Sequence, residues 1–578
     1  MDRRTRSLAL TLLVTLFLAP LLRAQYADQT GPDLQDDAEA AAKPTFSSPY
    51  IPLDSWIYPA AIRLYQLGYL PTAYLGLRPW TRASLAHMLQ LSTNDLQNPL
   101  ADPEAVEIYA RLRRELAPEF ANAHHQAVPE SVYTRITGIG GPILNDSFHL
   151  GQTIVNDYGR PYHTGFNNLS GYAARASYGR LSLYVRDEYQ RSPAAIGYST
   201  AVANTLNASD ALAGEPLVPM PNPTIPQGPI PVQNNIRIIE ANLSAHLLNH
   251  EISFGKSDAW LSPAYGASMA WSNNAENIYS FRINRVEPLY IPWLSRYTGM
   301  FRYDFFVGSL KGHTAPNDPW IHAEKMSFKP TANVEFGFER TVIWGGKGHV
   351  PITPYTFLRS FFSLKAPNQI STKFSSQDPG ARFTQFDFTW RIPWQDHLIT
   401  IYTDSFFHNG YFPFSSPRET ALRPGIYISR LPGSDHVDLR IEGITTNPHD
   451  PGSFEGQYIY WEAVQQQGYT NKNQILGDWI GRESNGGQAW ITWHQKPDES
   501  LQFEYRRNKA ATDFIPGGTI QQQFAVHEQL RLTHDLELKA NLQSEFWKAP
   551  LIASGLQKDY VISAQFTYYP HISSAAKK

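Results

Sequence analysis

Cysteine is absent from the 578 residues of this chain. Its absence excludes a disulfide framework and any metal site built on thiolates. Charged residues are also scarce, at 17% of the chain, and 52 acidic side chains slightly outnumber 49 basic ones. A protein that binds nucleic acid needs an excess of positive charge to contact phosphates, so we expect no nucleic-acid partner.

Long apolar runs are missing beyond the N-terminal segment. After residue 24, no stretch approaches the run of about eighteen apolar residues that a membrane-spanning helix requires. Mean hydropathy is −0.37, although aromatic residues make up 13% of the chain. Two classes remain: a large secreted all-β protein, or a membrane β-barrel whose lipid-facing residues alternate with polar ones.

The first residues are typical of an export signal. A basic segment precedes an apolar run and a small-residue cleavage site, namely Arg3, Arg4 and Arg6, then Leu8–Leu22, then Leu22-Arg23-Ala24. This pattern predicts that residues 1–24 are a signal peptide for export across a bacterial inner membrane. Residues 25–46 are acidic and rich in alanine, and we interpret them as a flexible leader.

Helix signals cluster in residues 47–130. Caps and first-turn prolines predict three helices: Ser55–Leu67 capped by Asp54, Arg82–Leu89 capped by Thr81, and Glu104–Leu116 started by Pro103. This segment is too small for more than a modest core of its own. We therefore expect a helical domain that docks on the rest of the chain.

From about Ser131 the apolar period changes from that of a helix to that of a strand. Apolar and polar residues alternate in Ile239–Leu247, in Leu536–Gln543 and in the aromatic last segment, Tyr560–Tyr569. Segments of this kind recur to the end of the chain, between clusters of Gly, Pro, Asn and Asp. Residues 131–570 are long enough for roughly 16–20 such strands, leaving 571–578 as a tail.

Alternation alone also fits a soluble sandwich, but two features favour a transmembrane antiparallel barrel. The polar faces carry charges of both signs, as expected of a wet lumen. Aromatic residues gather at the segment ends, where an interfacial girdle would lie: Trp260, Trp344, Trp394, Trp547, Tyr568 and Tyr569. The proline-rich insertion 192–235 cannot be a strand, so we interpret it as an extracellular loop, a lumen plug or a disordered excursion.

One segment, Gly477–Trp490, combines side chains that sugars need. Aromatic faces allow stacking, and charged or amide groups allow paired hydrogen bonds. The candidate carbohydrate-binding residues are Trp479, Arg482, Glu483, Asn485 and Trp490. The alternative is structural, with girdle tryptophans and lumen Arg–Glu pairs that brace the wall.

Signatures of catalysis and of metal binding are weak. The chain has no Gly-x-Ser-x-Gly motif, and His124-His125 lacks a third ligand at a useful spacing. We therefore predict a protein that is not an enzyme, with no catalytic residue, no metal and no cofactor. A Ser–His pair on the outer face of the barrel, acting as a membrane-embedded hydrolase, stays open as a third hypothesis.

Several blocks of the sequence resemble the Wzi family of capsule assembly proteins in their order and spacing. These blocks are Pro52–Tyr58, Arg63-Leu64, Leu67–Tyr69, Leu77–Trp80, Phe254-Gly255, Trp260–Pro263, Ser272–Asn274, Trp479–Glu483, Phe514–Gly518 and Gln543–Trp547. The resemblance implies an outer-membrane barrel of about eighteen strands with a periplasmic helical bundle at its base. It also implies a surface lectin that holds capsular or related exopolysaccharide.

These inferences leave two principal functions. The first is a glycan-binding barrel, which we expect to be monomeric, to contact outer-membrane lipid and to anchor polysaccharide at the cell surface. The second is an outer-membrane porin or solute-uptake channel, which the charged lumen face would suit.

Overall fold

The computed structural model describes residues 43–123, 125–210, 222–363, 370–393, 398–408, 420–448 and 455–570. The predicted signal peptide, all but the last residues of the predicted leader, Trp394 and the tail 571–578 lie outside the described residues. Within the described ranges, no helix combines the length and the apolarity needed to cross a membrane.

The N-terminal part folds as a helical domain. Its helices are α1 Ile57–Gln66, α2 Arg82–Leu91, α3 Thr93–Leu96, α4 Pro103–Glu115 and α5 Ala117–Phe120. They bury one apolar core between them, with members that include Leu64, Leu85, Leu89, Ile108 and Leu112.

The predicted caps are confirmed in one case and wrong in another. The Thr81 side chain accepts a hydrogen bond from the backbone N–H of Ser84 and so caps α2 as predicted. Asp54 does not cap α1, because that helix begins after Trp56 without a side-chain cap. The Asp54 carboxylate instead pairs with Arg186 on the barrel wall at 2.7 Å. Asp54, which was predicted to cap a helix, therefore contributes to the contact between the helical domain and the barrel.

Eighteen antiparallel strands form a closed barrel, so the predicted fold class and strand number are confirmed. The strands are β1 His125–Gly140, β2 Gly165–Tyr178, β3 Leu181–Ser192, β4 Gln233–Leu247, β5 His250–Lys256, β6 Tyr279–Arg285, β7 Met300–Ser309, β8 Trp320–Thr331, β9 Val334–Trp344, β10 Ala381–Arg391, β11 Ile399–His408, β12 Ala421–Ile428, β13 Val437–Thr445, β14 Ser484–Lys496, β15 Glu499–Ala510, β16 Thr519–Arg531, β17 Leu536–Ala549 and β18 Ala553–Tyr568. Each strand pairs with its neighbours in sequence, and pairing between β18 and β1 closes the ring.

The period-2 pattern sorts side chains between the lumen and the outside. On β18, the predicted outward side chains of Tyr560, Phe566 and Tyr568 are exposed on the barrel surface. On β4 the alternation breaks at Ile239, which has no partner on β3, because Arg186 pairs with Glu240 and Asp187 with Ile238. This extra residue is a β-bulge, and it exchanges the outward positions from even to odd numbers along the strand.

The aromatic girdle was predicted correctly at Tyr568 but wrongly at two tryptophans, Trp260 and Trp547. Trp260 is buried, and its backbone N–H donates to the carbonyl of Arg78 in the helical domain. Trp547 also points inward, and its ring N–H donates to the carbonyl of Pro142 at 3.0 Å. Trp344 lies on the outer face as predicted, opposite the exposed Trp320, but it is covered by an aromatic helix side chain, Phe357.

The two ends of the barrel differ in their connections. Short connections face the helical domain, such as the two-residue turns after β2 and β4. Most connections at the other end are long, and three of them fold inward over their described residues, so we name them plug loop 1 (141–164), plug loop 2 (257–278) and plug loop 3 (446–448 and 455–483). Further helices at the ends are α6 Thr200–Asp210, α7 Pro292–Thr298, α8 Pro354–Phe362, α9 Ile370–Lys373 and α10 Glu455–Tyr458.

Candidate functional site

The plug loops fill the lumen at the long-loop end. Almost every residue of plug loop 2 and of the described part of plug loop 3 is buried. Together with inward side chains of the wall they form the largest apolar core of the barrel, which includes Phe148, Met269, Trp271, Tyr460, Trp461 and Tyr469. The interior at this end is therefore packed protein.

Carboxylates on the inner wall hold these loops through backbone N–H groups. Glu442 accepts hydrogen bonds from the N–H groups of Tyr265 and Gly266 at 2.7 and 3.1 Å. Asp404 accepts one from the N–H of Met269 at 2.8 Å. Charge-assisted hydrogen bonds are about twice as strong as neutral ones, so these acids fix plug loop 2 to the wall.

The helical domain uses the same device at the opposite end. Glu335 accepts hydrogen bonds from the N–H groups of Leu75 and Gly76 at 2.8 and 2.9 Å. From the domain side, Arg63 pairs with Glu104 of its own domain at 2.8 Å and donates to the carbonyl of Asp435 at 2.9 Å.

Between the two closures the lumen holds a polar cavity of about 580 Å³. Its lining combines the helical domain, the plug loops and inward side chains of the wall, including the turn at Asp498. Arg440 lies 4.4 Å from the ring centre of Tyr265, which in turn packs edge-on against Trp490 at 5.1 Å. The volume lies in the range of small-molecule sites, and the lining extends to exposed residues at the short-turn end such as His436.

The predicted site residues do not come together at one surface. Trp479 is fully buried, with its ring N–H donating to the carbonyl of Gly266 at 3.1 Å. Trp490 faces the cavity from β14. Asn485 is exposed, and it lies on the strand position adjacent to the buried Ser484. The Trp residues therefore contact the packed interior, while Asn485 faces away from it.

Arg482 and Glu483 lie inside the plug without pairing with each other. The Arg482 guanidinium forms an ion pair with Asp210 of α6 and lies between the rings of Phe148 and Phe514, at 4.5 and 4.6 Å. Glu483 is buried, and this burial raises its pKa to about 7. The carbohydrate role of these five candidates stays a prediction.

A buried ionic cluster joins α6 to plug loop 1. His149 lies 3.0 Å from Asp146 through Nδ1 and 3.1 Å from Asp210 through Nε2. Burial alone would lower the pKa of His149, but the two carboxylates raise it to about 9. The insertion 192–235 was interpreted as an extracellular loop, a lumen plug or a disordered excursion. Its described helix α6 fits the lumen plug, because Asp210 of this helix is fully buried.

Exposed lysines crowd the rim of the long-loop end on three different connections. Lys311, Lys347 and Lys472 expose 51%, 78% and 51% of their side chains, and we call them the lysine rim. Exposed asparagines lie beside them at Asn317 and Asn473.

Backbone hydrogen bonds hold the lysine rim in place. The N–H of Lys472 donates to the carbonyl of Lys311, and the N–H of Lys347 donates to the carbonyl of Asn317, both at 2.7 Å. Asp318 pairs with Lys347 at 2.8 Å and with Lys311 at 3.4 Å. Because one aspartate serves two lysines, the rim presents excess positive charge on a fixed backbone.

Positive charge continues beneath the rim. The carboxylate of Glu276 in plug loop 2 forms an ion pair with Lys472 at 2.9 Å. It forms further ion pairs with Arg237 and Lys256. Burial alone would raise the pKa of Glu276, but Arg237 and Lys256 lower it to about 2. Three cations around one carboxylate leave a net positive field at this end of the barrel.

The lysine rim was missed in the sequence because its members are far apart along the chain. Each lysine is flanked by turn-forming residues, as in Lys311-Gly312, Gly346-Lys347-Gly348 and Asn471-Lys472-Asn473. This local signal marks exposed loop tips, although it does not reveal that the three tips meet. Over the described part of the chain, no group of three or more His, Asp or Glu side chains is arranged to hold a metal ion.

Comparison with known proteins identifies the family. The sequence profile of one family, the capsule assembly protein Wzi, matches residues 135–561, which are 427 of the 578 residues. The chain belongs to the Wzi family. Its closed barrel and apolar outside, together with this membership, identify an outer-membrane protein.

Individual relatives of this Wzi-family chain are distant. An uncharacterised 55.8 kDa protein in the cps region of Klebsiella pneumoniae is 24% identical over 145 residues, which are 25% of this chain and 27% of that protein. The match thus spans about a quarter of that curated relative.

Among solved structures, Wzi of Escherichia coli superposes with a TM-score of 0.63 at 14% identity, covering 91% of this chain and all of that one. That protein is described as an outer-membrane protein involved in group 1 capsule assembly and as a carbohydrate-binding β-barrel. OprD of Pseudomonas aeruginosa reaches a TM-score of 0.39 at 7% identity over 77% of this chain and 94% of its own. So low a score supports no functional argument.

Proposed function

We propose that this protein binds capsular or related exopolysaccharide at its long-loop end and anchors it at the cell surface. The observation that carries the proposal is the packed plug, because a ligand arriving at this end meets buried, packed protein in the described part of the loops. Membership of the Wzi family supports the same role. Retention of this kind needs no bond to be broken, so glycan binding is proposed as non-enzymatic.

The lysine rim supplies the contacts for such a ligand. Its ammonium groups suit carboxylate or other acidic substituents of a polysaccharide, and the exposed Asn317 and Asn473 suit its hydroxyl groups. Many weak contacts along one chain add up, since a polymer can occupy several barrels at once. A long glycan can therefore be held firmly although each rim is small.

The orientation in the membrane follows from the connections. Barrels of the outer membrane carry short turns on the periplasmic side and long loops outside. This rule supports a helical domain in the periplasm and a lysine rim that faces the medium. We further propose that the barrel is monomeric and contacts outer-membrane lipid through its outward apolar side chains.

Deleting the gene tests the function directly. We expect polysaccharide to appear in the culture medium at an undiminished total amount, because synthesis continues while retention fails. Unchanged retention at the surface would contradict the proposal. Complementation with the wild-type gene should restore the surface layer.

Lysine variants test the position of the site. The triple variant Lys311→Gln, Lys347→Gln, Lys472→Gln should weaken binding of the purified protein to the organism's own polysaccharide by about tenfold or more at low salt. The control is Lys496→Gln, which changes a half-exposed lysine at the last position of β14, at the opposite end. Equal effects of the two changes would show that the rim is not the site.

A porin is the alternative function, since a polar cavity occupies part of the lumen. Reconstitution of the full chain in planar bilayers separates the two functions. A porin gives steady conductance, whereas a barrel closed by packed loops gives almost none. Steady conductance with no glycan binding would favour the porin.

A further inference from the structure

The outer wall carries an ionic pair where lipid-facing residues are expected. Glu324 on β8 lies directly opposite Arg340 on β9, and their side chains pair at 2.9 Å. Neighbouring outward positions on the same two strands are apolar, namely Trp320, Met326, Phe336 and Phe338. Ionisable groups on the lipid face of a barrel are costly, so their presence suggests a function.

A histidine and a serine extend this pair into a relay. His322 Nδ1 is hydrogen-bonded to Glu324 Oε1 at 2.5 Å, and His322 Nε2 is hydrogen-bonded to Ser360 Oγ at 2.9 Å. Arg340 occupies the second oxygen of Glu324 and so fixes the carboxylate. A hydroxyl, an imidazole and a carboxylate in this order form the arrangement that activates a serine nucleophile.

The helix α8 brings Ser360 to the wall. Phe357 and Phe361 of this helix pack around His322, with ring centres at 5.5 and 5.9 Å. The opposite face of α8 is apolar and exposed, with Tyr355, Leu358 and Phe362 showing 69%, 50% and 70% of their surface. An apolar outer face of this kind suits contact with lipid chains, from which a substrate would reach the relay.

We propose that Ser360, His322 and Glu324 form a hydrolytic site for acyl esters of membrane lipids. Ser360 Oγ attacks the ester carbonyl while its proton moves to His322 Nε2. The bond to the alcohol oxygen then breaks, and the alcohol leaves with that proton. Water repeats the sequence on the acyl-serine, which releases the carboxylic acid and restores Ser360. The net reaction consumes one ester and one water and involves no redox change.

The three residues have different roles. Ser360 and His322 touch the reacting atoms and are catalytic, whereas Glu324 is a positioning residue that holds the imidazole. Ser360 is fully buried, so the ester has to displace Phe357 or Phe361 to reach it. We therefore expect slow turnover. This activity is independent of glycan retention, and its failure would leave the proposed function intact.

Covalent labelling of the full chain tests the site. The protein in lipid vesicles is treated with a fluorophosphonate that carries an alkyl chain, and labelled peptides are mapped. We expect the label on Ser360, and we expect fatty acid release from a phospholipid carrying a fluorescent acyl chain. Neither labelling nor release in the folded wild-type barrel would overturn the proposal.

Variants separate catalysis from a structural role. Ser360→Ala should abolish labelling and release, and His322→Gln should lower release by about 100-fold or more. Glu324→Gln should shift the pH profile of release, which loss of packing alone would not do. The control Ser371→Ala changes an exposed serine of the same connection and should leave both readouts unchanged. If Ser360→Ala lowers only the thermal midpoint while release persists, the relay merely fastens α8 to the wall and the proposal fails.

Discussion

The two ends of this barrel are closed in different ways. The short-turn end is closed by a helical domain that has its own apolar core and docks through Glu335, Arg63 and Asp54. The long-loop end is closed by loops whose apolar side chains are themselves part of the barrel core. A docked domain can loosen while the barrel persists, but a core made of loops cannot loosen without exposing the interior. The difference predicts that damage at the long-loop end destabilises the whole protein, whereas damage at the base remains local.

The largest effect is expected at the buried Arg482–Asp210 pair. Arg482→Leu leaves a buried carboxylate poorly compensated, so the free energy of unfolding should fall by about 3–5 kcal/mol in urea titrations of the protein in lipid. Adding Asp210→Asn should recover part of the lost stability, because this change removes the buried negative charge that has lost its arginine partner. Arg111→Leu is the control, since Arg111 pairs with Asp498 at the base and should cause only local loosening. Equal losses for the two arginines would remove the contrast between the ends.

Alkaline pH should weaken the long-loop end through His149. Its folded pKa of about 9 lies above the ordinary value of 6.5, so the protonated form is stabilised by Asp146 and Asp210, with Arg482 also paired to Asp210. Protonated His149 therefore contributes about 3 kcal/mol to the free energy of unfolding. This contribution is fully present below about pH 6.5 and is lost as the pH rises through about 9.

Urea midpoints measured from about pH 6 to about pH 10 give the test. The midpoint of the wild type should decline over this interval, while His149→Gln should start lower and decline less. If the urea midpoints of the wild type and of His149→Gln fall in parallel with rising pH, groups other than His149 cause the loss of stability at alkaline pH.

A smaller and local effect is expected at Glu335. Glu335→Gln weakens the hydrogen bonds from the N–H groups of Leu75 and Gly76, at a cost of about 2 kcal/mol to docking of the helical domain. Amide hydrogen exchange should accelerate at these two residues and leave strand amides unchanged. The matched control is Glu545→Gln, whose carboxylate accepts from Thr153 and Gln521 at the other end. Faster exchange throughout the strands in Glu335→Gln would mean that the base is not a separable closure.

The smallest effect on stability is expected at the lysine rim. Lys347→Ala removes an exposed ion pair with Asp318, and such pairs contribute little because water screens them. The thermal midpoint should stay within experimental error of the wild type, although glycan binding weakens. A clear drop in the midpoint would mean that the rim helps to hold the plug loops.

The parts predicted well from the sequence are those encoded by short-range patterns. Thr81 and Pro103 each mark a helix start within one turn, and alternation over ten residues marks the outward row of β18. The alternation fails at Ile239 on β4. The bulge there adds one residue, so inward and outward positions are exchanged for the rest of the strand.

The plug could not be predicted because its contacts are long-range. Arg482 pairs with Asp210 across 272 positions of sequence, and no local pattern couples the two. The segment Gly477–Trp490 carries the aromatic and charged residues expected of a sugar site, yet Trp479, Arg482 and Glu483 are buried there. Residue type alone does not distinguish a ligand site from a polar protein interior, since both need stacking faces and paired hydrogen bonds.

The contacts between plug loops 2 and 3 bear on the order in which the protein assembles. Tyr460 donates to the carbonyl of Met269 across 191 positions, and Asn274 donates to the carbonyl of Ile475 across 201. Contacts so distant form late, because the entropy of closing the intervening chain must first be overcome. We therefore expect the packing of plug loop 2 against plug loop 3 to form only after the C-terminal part of the barrel has folded. A filled lumen would then mark a barrel whose ring is complete.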